Sequence, residues 1–451
     1  MSLDEALQPF DHFFSPSYLE QVFKDRLQEA KFSGLDGISA SAFEASLDSE
    51  LDIISRKVLN GTYRFTRYKE KLILKSALKT PRQISVPTIR DALTVRALCD
   101  YLTQKFPDRR MRPPHDCTKR VYLATRRAAA SDFFLRMDVQ NFYPSINHTV
   151  LMEVLGRRIM SSPATSLIEK AISNPTGFDQ HSCLPVGVPQ GLSISNILSM
   201  IYMTDFDREF EARYQYFRYV DDILVLCKEV DVYKIHDELS GYLSSHLKLS
   251  SHPLEKAPSS KTMIAPITKG TEYLGYHVSS GELKIRKASY KKMFQAIAGC
   301  LRTLRGSATV EQVLWRLNLI ITGCRFENRS VGWVFFFRQA TAMSQFHRMD
   351  VFVKQQLCHY GLEDRIPSVR SFVKTYRESR YNRDKTSYIP DFDHYTLADK
   401  INTVSLLVGT PADKLAQLER AEIDRRYWAI VKRQVAKLER ETIDFGTSGG
   451  S

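Results

Sequence analysis

The sequence has few cysteines, and they follow no metal-binding or disulfide pattern. Seven cysteines are scattered over 451 residues, and no two of them stand in a C-x-x-C spacing. This usage argues against a structural zinc site and a disulfide framework, and it predicts a reducing, cytoplasmic location. The sequence also lacks an apolar run long enough to span a bilayer and a signal-peptide pattern at its start, so we expect no membrane partner.

Acidic residues are outnumbered by basic ones. Lysine and arginine total 64 against 51 aspartates and glutamates, which gives a net charge of +13. A basic surface of this size favours a polyanionic partner, because contacts with phosphates release condensed counterions. Many basic proteins bind no nucleic acid, so the charge alone does not identify the partner.

Hydrophobic patterns predict helices and strands mixed along the first part of the chain. Residues 69–87 predict a basic hairpin, and residues 90–105 predict an amphipathic helix. Residues 133–138 predict a buried strand that ends in an acid. Residues 214–226 predict two strands around a tight turn at Asp221-Asp222. This part therefore predicts an α+β fold with an antiparallel sheet.

The later part of the chain predicts mostly helices. Residues 271–278 predict one more strand, with residues 282–285 as its partner. Strand signals nearly vanish after residue 286, so we expect an all-helical C-terminal region. The last six residues, 446–451 (GTSGGS), resemble an added linker and are excluded from the fold prediction.

Three carboxylates stand where a metal-dependent site needs them. Asp138 ends the apolar strand, and Asp221 and Asp222 lie between the two later strands. Acids flanked by such apolar runs must be solvated, paired or bound to metal, because bare burial of charge is costly. Two magnesium ions held by carboxylates stabilise both ends of a phosphoryl displacement. For an isolated Asp-Asp pair, a turn that uses aspartate only for its backbone preference is the alternative.

Short blocks surround these acids in a fixed order. They are Gly34–Ile38 (GLDGI), Arg82–Pro87 (RQISVP) with Asp91, Met137–Tyr143 (MDVQNFY), Pro189–Gly191 (PQG) with Ser195-Asn196, Tyr219–Asp222 (YVDD), Lys261-Thr262, and Tyr273–Tyr276 (YLGY). This ordered set resembles the blocks of reverse transcriptases of the group II intron lineage. The resemblance covers roughly residues 30–300. It implies a right-hand polymerase, with fingers, palm and thumb, that copies RNA into DNA.

The resemblance assigns a metal site. It implies that Asp138 and Asp221 bind two Mg²⁺ ions, for which Mn²⁺ substitutes, and that the backbone carbonyl of Val139 adds a ligand. Asp222 is expected to support the site electrostatically. We therefore expect the three aspartates to be the catalytic residues.

The resemblance also implies a nucleotide site. Tyr143 falls at the steric-gate position, where a bulky ring clashes with a 2′-hydroxyl and selects deoxynucleotides. Gln190 is expected beside the incoming nucleotide, and Gly191 is expected to let the backbone approach it closely. Arg82 is expected to grip the triphosphate in the bidentate way that lysine cannot copy.

Two lysines complete this assignment, and three positions depart from the family pattern. Lys75 is a second candidate for the triphosphate, and Lys261 is a candidate to protonate the pyrophosphate leaving group. A solvated lysine is the alternative at both positions. Gln83 and Ser85 replace the proline and glycine of the group II pattern, and Asn196 stands where a proline is frequent. These departures bear on the subfamily and leave the metal chemistry unchanged.

The blocks divide the chain into the subdomains of a right-hand polymerase with a helical C-terminal extension. We expect fingers at residues 1–95, a first palm segment at 96–144, a helical insertion at 145–180, a second palm segment at 181–285, a thumb at 286–360 and the extension at 361–445.

The extension carries alternating basic and aromatic residues, a pattern that suits a structured RNA. A solvated face with surface tyrosines is the alternative. The last helices could instead dock on the thumb or pair with another subunit or a partner protein. The expected RNA-binding residues are Arg370, Lys374, Tyr376, Arg377, Arg380 and Arg383.

The sequence shows no Cys/His-rich endonuclease pattern and no RNase H or protease region. In this respect it resembles the stand-alone bacterial reverse transcriptases of antiphage defence. That group commonly copies a neighbouring structured non-coding RNA, with dNTPs as substrates and DNA as product. Three alternatives stay open: a maturase-like splicing cofactor, a template-independent or protein-primed DNA polymerase, and the enzyme of a diversity-generating element, against which the Pro189–Gly191 context argues mildly.

Overall fold

The computed structural model describes residues 8–73, 81–177, 185–254, 261–382 and 385–446. Its contacts divide the chain into two units. The first unit holds the residues up to 113 and residues 132–264, and the second holds residues 114–131 and those from 265 onwards. Residues 114–131 thus group with the second unit, whereas the sequence places them in the first palm segment. The subdomain boundaries stay predictions.

Polar side chains cap three of the helices in the N-terminal part. Ser15, Ser39 and Thr88 each accept a backbone N–H at the third helical position, which satisfies one unpaired donor of the first turn. The predicted hairpin is present, since β1 and β2 pair antiparallel. The elements are α1 (Phe10–Phe13), α2 (Pro16–Arg26), α3 (Ala40–Glu44), α4 (Leu47–Leu59), β1 (Lys69–Ile73), β2 (Arg82–Val86) and α5 (Ile89–Lys105).

The next part of the chain contributes a sheet in the order β4-β5-β3-β6. Strands β3 and β5 are apolar over most of their length and buried, which fits strands covered on both faces. The elements are α6 (Pro114–Thr125, in the second unit), β3 (Asp132–Asp138), α7 (Phe142–Ser145), α8 (His148–Gly156), α9 (Ser162–Ser173), α10 (Ser195–Tyr202), α11 (Thr204–Arg213), β4 (Gln215–Tyr219), β5 (Asp222–Lys228), α12 (Val232–Ser245) and β6 (Met263–Pro266).

The second unit contains a three-stranded antiparallel sheet that the sequence predicts only in part. The strands are β7 (Thr271–Tyr273), β8 (Tyr276–Ser279) and β9 (Glu282–Ile285), in the order β7-β8-β9. The pairing of residues 282–285 is confirmed, but the prediction of one strand over 271–278 is wrong. Leu274 and Gly275 have φ angles of 47° and 85°, so they form a two-residue turn that reverses the chain.

Thr341 and Gln345 close the outer edge of β9. Gln345 lies on the helix that begins at Met343, and Thr341 lies two residues before that helix. The Leu283 N–H donates to Thr341 Oγ1 at 2.9 Å, and the Thr341 N–H donates to the Leu283 carbonyl at 2.8 Å. The Ile285 N–H donates to Gln345 Oε1 at 2.7 Å, and Gln345 Nε2 donates back to the Ile285 carbonyl at 3.0 Å. These contacts satisfy the backbone groups that an edge strand would otherwise expose.

The rest of the second unit is helical apart from one hairpin that the sequence analysis missed. Glu327 and Asn328 form its two-residue turn, with φ angles of 49° and 56°. The Asp393 carboxylate accepts the N–H groups of both turn residues, each at 2.9 Å. The elements are α13 (Lys287–Arg302), α14 (Val310–Thr322), β10 (Cys324–Phe326), β11 (Arg329–Val331), α15 (Trp333–Phe336), α16 (Met343–His359), α17 (Phe372–Tyr381), α18 (Leu397–Val408), α19 (Ala412–Ala416) and α20 (Arg420–Gly446).

These elements confirm the predicted class, an α+β fold with antiparallel strands and a helical C-terminal region. Gly446, placed in the predicted linker, is the last residue of α20, and residues 447–451 lie outside the described residues. Over the described ranges, no helix is both long and apolar enough to cross a bilayer.

Candidate active site

Strand register brings two of the predicted aspartates face to face. In the antiparallel pair of β3 and β5, Asp138 lies directly opposite Asp222. Cross-strand partners point to the same face of a sheet, and like charges placed there repel each other. The arrangement therefore requires a compensating cation on the same face, and Arg136, two residues before Asp138 on β3, supplies it.

Arg136 and Asp222 form a bidentate ion pair. Arg136 Nε and Nη2 donate to Asp222 Oδ1 and Oδ2 at 2.9 and 3.0 Å. Both side chains are largely buried, at 12% and 10% exposure. Burial raises the pKa of Asp222 to about 6, although Arg136 opposes this rise. Asp222 thus has a cationic partner of its own, which fits the supporting role predicted for it.

Asp138 is fully buried and has two different oxygens. Its Oδ1 lies 3.1 Å from Lys261 Nζ and 3.2 Å from His252 Nε2. Its Oδ2 is buried and has no hydrogen-bond partner among the described residues. Burial and then the charge of Asp221 raise the pKa of Asp138, while Lys261 and His252 lower it. A buried carboxylate oxygen without a partner is costly, so Oδ2 is a natural position for a cation.

The hairpin that carries Asp221 turns one residue earlier than predicted. Tyr219 pairs with Asp222, so Val220 and Asp221 form the turn and Asp222 is the first residue of β5. Val220 has a φ of 56°. The prediction that Asp221 and Asp222 together form the tip is therefore wrong. A β-branched residue at positive φ costs about 1–3 kcal/mol, so tertiary contacts must hold this turn.

Two hydrogen bonds hold the carbonyls of this turn. Arg218 Nη1 donates to the Val220 carbonyl at 2.8 Å, and the Val139 N–H donates to the Asp221 carbonyl at 3.1 Å. The second bond ties the turn to the residue that follows Asp138. The backbone segments that carry the Asp138 and Asp221 side chains are therefore joined by a direct hydrogen bond.

The predicted steric-gate residue lies close to this turn. Burial raises the pKa of Tyr143, a hydrogen bond with Ser199 lowers it, the charge of Asp221 raises it and the charge of Arg82 lowers it, so both charges lie within electrostatic reach of the ring. The Tyr143 hydroxyl donates to Asn196 Oδ1 at 2.7 Å. Asn196 is the residue that replaces the frequent proline of the family, and here it fixes the position of the ring.

The predicted nucleotide loop packs against β2. The Ser85 N–H donates to the Gln190 carbonyl at 2.7 Å. A Cβ added to Gly191 would lie 2.7 Å from Ile84 Cγ2 and 2.9 Å from the Ser85 carbonyl, and Gly191 has a φ of 107°. Packing within the protein therefore explains the glycine already. The nucleotide contacts of Gln190 and Gly191 stay predictions, and Lys75 lies outside the described residues.

The residues present fit a divalent metal site that the substrate completes. Where the structure describes the chain, no three carboxylate, imidazole or thiolate side chains converge into a ligand group. Asp222 is engaged by Arg136, which leaves Asp138 and Asp221 as the carboxylates for metal. Magnesium accepts one or two carboxylates together with water and substrate phosphates, so two are enough. The part assigned to the Val139 carbonyl stays a prediction.

The predicted RNA-binding residues lie on and beside α17 in the second unit. Tyr376 is buried, and its hydroxyl donates to the Ala340 carbonyl at 2.7 Å. Its prediction as an RNA contact is therefore wrong, because the ring belongs to the core. Arg370 and Lys374 lie 4.6 and 4.5 Å from the ring of Tyr388, and Arg383 lies outside the described residues. The exposed cations are Arg370, Lys374, Arg377 and Arg380.

Comparison with known proteins assigns the segment that contains the aspartates. Residues 73–278 match the family model described as "Reverse transcriptase (RNA-dependent DNA polymerase)". These residues form a reverse-transcriptase domain. The predicted right-hand polymerase class and the RNA-directed DNA polymerase assignment are confirmed for this domain, which contains all three aspartates and Tyr143.

Relatives of this reverse-transcriptase domain are distant. Protein YkfC of Escherichia coli (strain K12) is 23% identical over 356 residues, which cover 67% of this chain and 90% of YkfC. The group II intron-encoded protein LtrA of Lactococcus lactis subsp. cremoris is 21% identical over 215 residues, 46% of this chain. The match spans only 36% of the length of LtrA.

Solved telomerase structures are similar to the chain at low sequence identity. Telomerase from Candida albicans, in complex with the TWJ fragment of telomeric RNA, is 12% identical, with a TM-score of 0.37 over 89% of this chain and 70% of that chain. Apo telomerase from Candida tropicalis is 12% identical, with a TM-score of 0.40 over 85% of this chain and 69% of that chain.

Sequence reasoning missed the residues that support the aspartates. Arg136 precedes Asp138 by two positions on β3, so strand alternation could have placed it on the face of Asp138 and Asp222. Arg218 has no such signal, because its targets are Asp207 on a helix and a backbone carbonyl. His252 has no comparable local signal, because it reaches Asp138 only through the fold.

Proposed function

We propose that the chain is an RNA-directed DNA polymerase that copies an associated, structured non-coding RNA into DNA in bacterial antiphage defence. The observation that carries the enzymatic part is the buried Oδ2 of Asp138, which has no hydrogen-bond partner within the described part of the chain and lies beside Asp221 in a reverse-transcriptase domain. The defence role rests on the resemblance in sequence to stand-alone bacterial enzymes. The cytoplasm as its location stays a prediction.

Asp138 and Asp221 would hold two Mg²⁺ ions, with Mn²⁺ as a substitute. Such ions activate the attacking hydroxyl and neutralise charge on the leaving pyrophosphate when they are bound. Lys261 and His252 keep Asp138 Oδ1 engaged and thereby leave Oδ2 for metal. Arg136 binds both carboxylate oxygens of Asp222 and balances its charge, so Asp222 is not proposed as a metal ligand.

Selection of the sugar belongs to Tyr143. Its ring is held by the hydrogen bond to Asn196 and lies in the environment of Asp221 and Arg82. A fixed ring at this place would clash with a 2′-hydroxyl, so deoxynucleotides are the proposed substrates. Arg82 would bind the triphosphate.

An RNA partner is supported by charge. The net charge is +13, and the exposed cations of α17 lie along one side of a short helix. Arg370 and Lys374 lie against the Tyr388 ring, which limits their freedom and lowers the entropic cost of binding phosphates. Pairing with another subunit through the C-terminal helices remains the alternative use of this region.

The first experiment isolates the protein with the RNA it carries and adds dNTPs with Mg²⁺. One dominant structured RNA and DNA complementary to it are expected. The double variant Asp221→Asn/Asp222→Asn should make no DNA and retain the RNA. Asp237→Asn, an exposed aspartate on α12, serves as the matched control and should behave like the wild type.

Other outcomes would point to other functions. Spliced intron RNA without DNA synthesis would indicate a maturase-like cofactor. DNA of random or single-nucleotide sequence would indicate a template-independent polymerase, and DNA covalently bound to a tyrosine would indicate protein priming. DNA synthesis by the double variant would overturn the assignment of the active site.

A further inference from the structure

Arg218 is a buried arginine that uses its donors on two different targets. Its Nε and Nη2 donate to Asp207 Oδ1 and Oδ2 at 2.6 and 2.5 Å. Its Nη1 donates to the carbonyl of Val220 at 2.8 Å. The side chain is 3% exposed, so these contacts are shielded from solvent.

Asp207 is itself fixed, which makes the arginine rigid. The Tyr216 hydroxyl donates to Asp207 Oδ1 at 2.9 Å, and Arg109 Nη1 lies 3.6 Å from Asp207 Oδ2. Tyr216 and Arg218 are two residues apart on β4, so both lie on the face that meets Asp207 of α11. The network therefore connects a helix to the turn before Asp221.

The turn needs such a contact because its own sequence does not favour it. Val220 has a φ of 56°, in a position of a two-residue hairpin turn where glycine is the usual residue. Left to itself, a valine there would relax toward negative φ and reorient the next residue, Asp221. The bond from Arg218 to the Val220 carbonyl opposes this relaxation.

We propose that Arg218 is a positioning residue that holds the strained Val220-Asp221 turn and thereby aims the Asp221 carboxylate at the metal site. This inference rests on the proposed polymerase function for its kinetic consequence. The orientation of Asp221 does not depend on polymerisation, so it can be measured separately through metal binding.

Arg218→Lys is the direct test. Lysine keeps the positive charge beside Asp207 but has no planar fork, so it cannot serve Asp207 and the Val220 carbonyl together. We expect kcat to fall by about 10- to 100-fold while KM for dNTPs changes by less than about 3-fold. Binding of Mn²⁺ alone, measured by electron paramagnetic resonance without nucleotide, should weaken in parallel.

Rescue separates positioning from general destabilisation. The double variant Arg218→Lys/Val220→Gly places a residue that tolerates positive φ in the turn, so it should recover much of the lost kcat and Mn²⁺ affinity. A lysine that merely destabilises the fold would not be rescued there. Arg213→Lys, an exposed arginine at the end of α11, is the matched control and should leave both measurements unchanged.

A second variant covers the case in which Arg218→Lys does not fold. Asp207→Asn/Arg218→Gln removes both buried charges together, and Arg109 keeps Asp108 as a partner at 3.0 Å, so no bare charge is left. It should show the same loss of Mn²⁺ affinity. Normal Mn²⁺ binding in a folded variant, or no rescue by Val220→Gly, would overturn the proposal. Failure of the wild type to make DNA, with Mn²⁺ binding lost in Arg218→Lys, would overturn the proposed function and support the role of Arg218.

Discussion

Two hairpins, β4–β5 in the first unit and β10–β11 in the second, turn through two residues in different ways. The second hairpin uses Glu327-Asn328, and asparagine tolerates the positive φ that both residues adopt. The first hairpin uses Val220-Asp221, with a β-branched residue at positive φ. Both turns receive contacts from distant segments, but the Glu327-Asn328 turn contains one residue type that favours positive φ, whereas Val220 disfavours it. The turn that presents a carboxylate therefore depends more on those contacts than the turn that only reverses the chain.

The side chains that hold the two turns differ in the same sense. Asp393 accepts the N–H groups of the second turn, which any residue other than proline supplies. Arg218 binds the Val220 carbonyl and is itself locked by Asp207. The contacts of Asp393 stabilise the connection between β10 and β11. The contact of Arg218 instead fixes the direction of the Asp221 side chain, which follows Val220.

The largest expected difference between the hairpins concerns the second residue of each turn, which is Asp221 in one and Asn328 in the other. Asp221→Asn should reduce DNA synthesis by at least about 100-fold, because an amide binds divalent metal poorly, while the melting temperature changes little. The matched exchange Asn328→Asp should leave synthesis unchanged. Primer extension on a poly(rA) template with an oligo(dT) primer measures both. Equal activities in the two variants would contradict the assignment of Asp221.

The two units also contain tyrosines that the sequence marks as functional. Tyr143→Ala should admit ribonucleotides, with discrimination against them reduced by about 10- to 100-fold, because the ring proposed as the steric gate is lost. Tyr376→Phe should change neither nucleotide selection nor RNA affinity, since its hydroxyl is bound inside the core. Incorporation of rNTPs relative to dNTPs is the measurement. Unchanged discrimination in Tyr143→Ala would place the gate elsewhere.

The aspartate that begins β5 should make stability depend on pH. The pKa of Asp222 in the folded state, about 6, lies above the ordinary value of 3.8. The folded state therefore binds a proton at this carboxyl more tightly than the unfolded state does. The stabilisation from Asp222 is thus complete below pH 3.8 and is lost as the pH rises through 6. Between pH 4 and 7, metal-free wild type should lose up to about 3 kcal/mol relative to Asp222→Asn. Urea unfolding of both proteins measures this, and parallel curves would contradict it.

The smallest expected effect tests the ordinary turn. Asn328→Val places in the second hairpin the residue type that the first one tolerates, but without an arginine to hold it. We expect a loss of about 1–2 kcal/mol in the free energy of unfolding, because only the cost of positive φ is added. DNA synthesis per folded molecule should not change. A variant as stable as the wild type would show that valine needs no supporting side-chain contact at a turn position with positive φ.

Local signals predicted the elements and the acids of the site but not its supports. The apolar strand before Asp138 and the two strands beside Asp221 are confirmed, because periodicity reports burial directly. The break at Leu274 was missed, since the apolar residues run on through the turn. The partners His252 and Arg218 act through contacts between distant segments, which one sequence cannot show. Tyr376 was misplaced because composition does not distinguish a buried ring from an exposed one.

The side chains of Thr341 and Gln345 that close β9 have a consequence for self-association. An open strand edge is a template on which a second chain can add its own strand, and large assemblies grow in this way. Here the donors and acceptors of Leu283 and Ile285 are already occupied, so an incoming strand would first have to displace both side chains. This edge of the sheet is thus protected from strand addition by Thr341, just before α16, and by Gln345 on α16.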